Sequence, residues 1–139
     1  MPTYPKSPLE KVAGLYYFAR MLDKIRLQAR GELPEDYHAN LGQGADGLCC
    51  AFLHLDYATL KARVLEGGAD EEIFAWAQEH GRRLNEKELF IWNSFITKMG
   101  WNDVVSPRVR RFKEQAGIAH RDDLQTMTQF IEWDEGRLQ

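Results

Sequence analysis

Apolar residues recur at three- and four-residue spacing along most of the chain, and glycine breaks the pattern at intervals. Phe18, Met21, Leu22, Ile25 and Ala29 fall on one side of a helix. So do Ile73, Trp76 and Ala77, then Leu89, Trp92, Ile96 and Met99, then Phe130 and Trp133. Ser, Asp or Asn stands before most of these stretches and Gly after them. That order is how helices start and stop: a short polar side chain satisfies the first free N–H groups, and glycine adopts the left-handed conformation that closes the last turn.

The punctuation predicts a short first helix from Ser7-Pro8-Leu9-Glu10, interrupted at Gly14, and a second from about Arg20 to Arg30, closed by Gly31. It further predicts a short helix over 46–54 with Asp46 as its cap, then helices from Asp56 to Glu66 and from Asp70 to His80. Asn85-x-x-Glu88 opens a helix running to Gly100, Ser106-Pro107 one stopped by Gly117, and Asp122-x-x-Gln125 the last, which ends before Gly136. No stretch alternates with period two between hairpin turns, and no fixed-period repeat is present. The expected fold is all-α: one compact domain over 1–139 with about seven or eight short helices and one long ordered loop.

That loop, residues 31–45, has no periodicity of its own, and structureless loops of such length are usually functional or disordered. Leu33, Tyr37, His38 and Leu41 argue for order, and Pro34 stiffens it. Its end overlaps Gly42-x-Gly44-x-x-Gly47, the spacing that cradles a dinucleotide pyrophosphate. The dinucleotide motif needs a buried parallel strand just upstream. Here the upstream residues are "GELPEDYHANL", with a proline, three acids and no β-branched residue, so the motif lacks its context. A turn into the 46–54 helix explains the glycines. An anion-binding nest at that helix start is disfavoured by Asp46, whose carboxylate would occupy it.

Charge sharpens the picture. The chain carries a net −3, but residues 1–30 hold six Lys or Arg against two acids, while residues 31–57 hold five acids and no Lys or Arg. The two segments are expected to face one another. The basic stretch 108–121 reads as a solvated helix face, because an acidic chain is a poor general nucleic-acid binder. The longest apolar runs, 13–19 and 48–55, are too short to span a bilayer, and the N-terminus has no signal-like apolar core. Two adjacent cysteines, Cys49 and Cys50, make no disulfide framework and point to a reducing cytoplasm.

On the second helix, Arg20, Asp23 and Leu27 lie opposite the apolar stripe. A leucine within that face implies a helix covered on both sides, so Arg20 and Asp23 must find partners. The acidic loop is a natural partner for Arg20, Lys24 or Arg26. The strings "SPLEKVAGLYY", "RMLDKIR", "DEEIFAW" and "IW" at 91–92, with Tyr37-His38 and Asn40, resemble a bacterial family catalogued as domain of unknown function 5069. Members of that family usually carry a proline where this chain has Ala19. The resemblance implies no established activity; it places Arg20, Asp23, Lys24, Tyr37 and His38 in a recurring pattern.

The chemistry that these residues allow is a pocket between the 20–30 helix and the 31–45 loop, binding or transforming a small polar or anionic molecule. His38 is the expected general acid or base, since imidazole changes charge near neutral pH. Asp23 would orient or share its proton, Tyr37 would donate a hydrogen bond, and Arg20, Lys24 and Asn40 would hold the substrate. A metal would have to recruit from His38, Cys49, Cys50 and His54. Cys50 and His54 share a helix face, but no second Cys-x-x-Cys pair exists, and neither a metal nor another cofactor is expected. The rival expectation is a non-catalytic module whose helices dock a protein.

Overall fold

The computed structural model describes residues 3–139. Among them are seven α-helices and a single two-stranded hairpin, so the fold is all-α. The chain divides into two compact units, one ending at Phe90 and the other covering Ile91–Gln139. None of the described helices is long and apolar enough to cross a membrane.

In the first unit, β1 (Lys11–Val12) pairs antiparallel with β2 (Leu15–Tyr16). They are followed by α1 (Phe18–Ala29), a 3-10 helix (Glu35–Asn40), α2 (Gly44–Leu53), α3 (Tyr57–Leu65) and α4 (Asp70–His80). Helix α1 is the centre of this unit. It packs on α3 and on β1, and α3 in turn packs on α2 and α4. Phe18, Met21, Leu22 and Ile25 on α1, Leu53, Leu60 and Ile73 on its neighbours, and Leu15 of the hairpin are all fully buried. The opposite face of α1 is buried as well, through Arg20, Lys24 and Leu27.

Helix α5 (Glu86–Lys98) runs across the boundary between the units, and α6 (Ser106–Gln115) and α7 (Met127–Asp134) complete the second one. Its aromatic cluster joins Ile118, Leu124 and Phe130 to Phe112 and Trp133. Gly100 shows why glycine ends α5. Its φ is +100°, and a Cβ there would lie 2.6 Å from Val109 and 2.9 Å from the Met127 nitrogen.

The glycine stops fall where the residue pattern puts them, and so do two of the polar starts. Asp56 accepts the Thr59 N–H, and Asn85 and Glu88 exchange both bonds of a capping box. Other expected starts fail. At Asp46 and Ser106 the helix forms, but Gln43 and Val105 take the cap position. Ser7 starts no helix: its hydroxyl accepts the Leu9 N–H and its carbonyl the Glu10 N–H, which makes a turn leading into β1. Only six residues separate Ser7 from Gly14, too few to offset helix nucleation, and Ala13 and Gly14, with φ of 50° and 84°, form the tight hairpin turn instead. The last helix starts four residues later than Asp122-x-x-Gln125 suggests. Asp123 is held in a bidentate pair by Arg121, and the equivalent box Thr126-x-x-Gln129 caps α7, which brings Met127 and Phe130 into the core.

Candidate functional site

The site is built on α1 and starts with the residue before it. Tyr17 caps α1 with φ 76°, a left-handed conformation that costs a non-glycine residue about 1–2 kcal/mol. The turn directs the Tyr17 side chain inward, where it is 4% exposed. Its hydroxyl donates to Asp46 Oδ1 at 2.6 Å. Lys24, two turns along α1, places its ammonium 2.7 Å from the same oxygen and donates to the Tyr17 hydroxyl at 3.2 Å.

Asp46 is wholly buried, yet its charge is compensated from three sides. Besides Tyr17 and Lys24, the Gly42 N–H donates to Oδ2 at 3.0 Å. The residue also sits in the first turn of α2, where the helix dipole favours an anion. It is not the N-cap expected from the residue pattern; Gln43 is, and Asp46 reaches back over the turn. This explains the glycine string. Gly42 has φ 75°, and a Cβ on it would lie 2.9 Å from the Tyr57 ring, while a Cβ on Gly47 would press on the Gly42 carbonyl at 3.2 Å. The glycines hold a carboxylate of the chain's own, in the place a bound anion would take.

The buried carboxylate imprints its surroundings. Burial, and then Asp46, push the Tyr17 phenol well above its ordinary range, and the same two causes raise Tyr57. Burial and the neighbouring Cys50 and Asp46 push up the Cys49 thiol; burial and Asp46 push Cys50 to about 12. These groups stay protonated at neutral pH. Cys50 turns its thiol toward the Met21 thioether at 3.8 Å, while His54 lies exposed at the left-handed C-cap of α2.

Arg20 and Asp23 share a different partner. The Arg20 guanidinium, 4% exposed, donates to the Lys6 carbonyl at 3.1 Å, and Asp23 Oδ2 accepts the Lys6 N–H at 3.0 Å. Arg20 also stands 6.0 Å from the centre of the Tyr37 ring, a cation–π contact from α1 to the 3-10 helix. His38 is exposed on that helix with Nε2 3.0 Å from the Leu33 carbonyl, and Asn40 is exposed at its end. The structure therefore brings together Arg20 with Tyr37, and Lys24 with Asp46 and Tyr17. It gives His38 and Asp23 separate partners. Residues 31–45 are ordered around the 3-10 helix, with Leu33 buried beneath it.

An open cleft of about 340 Å³ lies elsewhere in the same unit, lined by Lys6, Glu10, Arg26 and Asp70 among others. Its charges neutralise one another: Asp70 accepts from both Lys6 and Arg26, and Lys6 also pairs with Glu10. Arg26, one of the three cations expected to meet the acidic loop, is thus taken by α4. Lys24 does meet an acid of the 31–57 segment, Asp46, and at the surface Arg30 pairs with Glu32.

The model of the family described as domain of unknown function (DUF5069) matches residues 2–137. The chain belongs to that family. No curated protein matches it. In this DUF5069 chain the "RMLDKIR" string divides its labour, Arg20 and Asp23 gripping residue 6 and Lys24 meeting Asp46. Tyr17 and Asp46 had no visible signal as site residues. Tyr17 reads as one aromatic among several before a helix, and Asp46 as a cap. The one clue was the contrast between a basic first segment and an acidic second.

Proposed function

We propose that this protein binds a small polar, anionic molecule between α1 and residues 31–45 and acts on it by acid–base chemistry. The observation that carries the reading is the cation contact across that gap, Arg20 to the Tyr37 ring, with Lys24 held beside it by Asp46 of α2. Both cations rise from one helix, and both are nearly withdrawn from water, where a charge interacts more strongly with an incoming anion. Arg20, Lys24 and Asn40 hold the substrate and Tyr37 donates a hydrogen bond. His38, on the rim, exchanges the proton, while the Tyr17–Asp46–Lys24 group fixes the floor. Asp23 acts on the site through the residue 6 main chain. The reading needs no metal, and the two free thiols suit a reducing cytoplasm.

Calorimetric titration of the full chain with acetate, succinate and phosphate tests this. One of these anions is expected to saturate the wild type with one equivalent and to lose most of its affinity in Arg20→Gln and in Tyr37→Ala. Absence of binding, or binding that both variants retain, overturns the reading.

A second reading, a protein-docking module, is favoured by large apolar side chains left in solvent. Val104 is 96% exposed and Phe90 72%, and Ile91 and Trp101 are each more than half exposed. Sedimentation of the full chain against a Phe90→Ser and a Val104→Ser variant tests self-docking; identical monomeric profiles for all three would remove it.

A further inference from the structure

The residue 6 main chain occupies Arg20 and Asp23 in a particular way. Its N–H goes to a carboxylate and its C=O to a guanidinium, both from residues one turn apart on α1. One helix face thus reads a single residue of peptide backbone at both of its polar groups, as the edge of a sheet would. Hydrogen bonds with one charged partner are about twice as strong as neutral ones. The cation that the proposed pocket relies on is therefore already holding a neutral carbonyl from the chain itself.

We infer that residues 3–8 are an internal occupant of the Arg20–Asp23 pair, and that the molecule bound there is peptide-like, carrying an amide N–H and C=O beside its anionic group. This rests on the proposed pocket and adds the class of its ligand. The grip on the segment comes in separable parts. Pro5 and Pro8 are buried, and the Pro8 carbonyl accepts the Tyr17 N–H at 2.9 Å. The Lys6 ammonium, by contrast, is held only by a part-buried pair with Asp70 at 3.3 Å and an exposed one with Glu10 at 3.5 Å. Such pairs contribute little and are screened by salt. The segment is anchored at Pro5 and Pro8, on either side of residue 6, and only the Lys6 side chain is held weakly.

If segment and ligand compete, apparent affinity falls by the fraction of molecules in which the segment is lifted. Loosening it must tighten binding. The test is a nuclear magnetic resonance titration of the full-length, nitrogen-15-labelled chain with N-acetylglycinamide, N-acetylglycine and acetate, following the Lys6 amide and the Arg20 side chain. Lys6→Ala removes the side-chain ion pairs and Pro5→Gly loosens the buried anchor; both leave Arg20, Asp23 and the residue 6 main-chain groups that they hold in place. Both amide probes are expected to shift the two signals together, and to bind at least about tenfold more tightly to either variant than to the wild type. Equal affinity for all three proteins, or shifts of Arg20 without Lys6, overturns the inference. If acetate alone binds at Arg20, the anion pocket stands and the peptide-like ligand does not. If no probe reaches Arg20 in any of the three proteins, both are wrong. Should Pro5→Gly fail to fold, Lys6→Ala decides.

Discussion

Lys24 in the first unit and Lys113 in the second are both buried, and they are buried for different ends. Lys113 donates to the Arg121 and Leu124 carbonyls, so its ammonium stitches the loop after α6 to its own helix through main-chain oxygens rather than a buried carboxylate. Lys24 meets a carboxylate, a phenol bonded to that carboxylate, and two elements brought together from distant parts of the chain. Holding that arrangement requires a left-handed Tyr17, a glycine under a tyrosine ring and a wholly desolvated acid. A loop can be fastened far more simply, as Lys113 shows. On the proposed function, the charge in the Lys24 region is kept for a purpose beyond packing.

Removing each lysine should expose that difference most strongly. Lys24→Met strands a buried carboxylate and is expected to cost about 3–5 kcal/mol in urea titrations. Adding Asp46→Asn, which removes the stranded charge, should restore part of the loss. Lys113→Met strands two carbonyls but no charge, and about 2 kcal/mol is expected. Equal losses would erase the distinction.

The glycines offer a narrower comparison. Gly42 and Gly117 have nearly the same φ, 75° and 76°, but a Cβ on Gly117 meets nothing within 4 Å while one on Gly42 meets the Tyr57 ring. Gly117→Ala should cost only the backbone strain, about 1 kcal/mol, and Gly42→Ala about 3 kcal/mol as the clash adds to it. The same melting temperature for both variants would mean that Tyr57 yields freely and that Gly42 does not fix the Asp46 turn.

Shifted groups in the two units act at opposite ends of the pH scale. In the first, Tyr17, Cys49 and Cys50 hold their protons more tightly than in the unfolded chain. Above about pH 8.5 the unfolded state therefore binds fewer protons than the native one, and stability falls as pH rises toward the folded value of about 12 for Cys50. In the second, the Arg121 hydrogen bond lowers the Asp123 carboxyl to about 2. Its small contribution is present at neutral pH and is lost as pH falls from about 4 toward about 2. Urea midpoints of the wild type and Cys50→Ala between pH 7 and 11 check the alkaline limb, where the variant should lose less.

The smallest effect belongs to Asp23. Asp23→Asn keeps an oxygen that can accept the Lys6 N–H and removes a charge that is only partly buried, so a loss below about 1 kcal/mol is expected. A loss as large as that of Lys24→Met would make Asp23 the anchor of the unit.

Much of the fold was legible because local chemistry sets helix ends. Asp56 and Asn85 stand where caps belong, Pro107 stands in the first turn of α6, and Gly81 closes α4. The hairpin was not legible, since two-residue strands carry no period and Ala13 is an unusual occupant of a left-handed turn. The contacts of the candidate site were half legible. Arg20 and Lys24 could be expected to meet partners, because charges on a helix covered on both sides must have them. Asp46 could not, because an acid at a helix start looks the same in a sequence whether it faces water or the core. Nor could the hold on Lys6, which depends on main-chain groups of a segment with no periodicity.

The most direct test compares the two buried ammonium groups in one experiment. In the nitrogen-15-labelled full chain, titrated with acetate at constant ionic strength, the Lys24 ammonium and Arg20 guanidinium signals are expected to move together and saturate while the Lys113 ammonium stays fixed. If Lys24 and Arg20 stay as still as Lys113, or if all three drift in proportion without saturating, the Lys24 region is scaffold and the account fails.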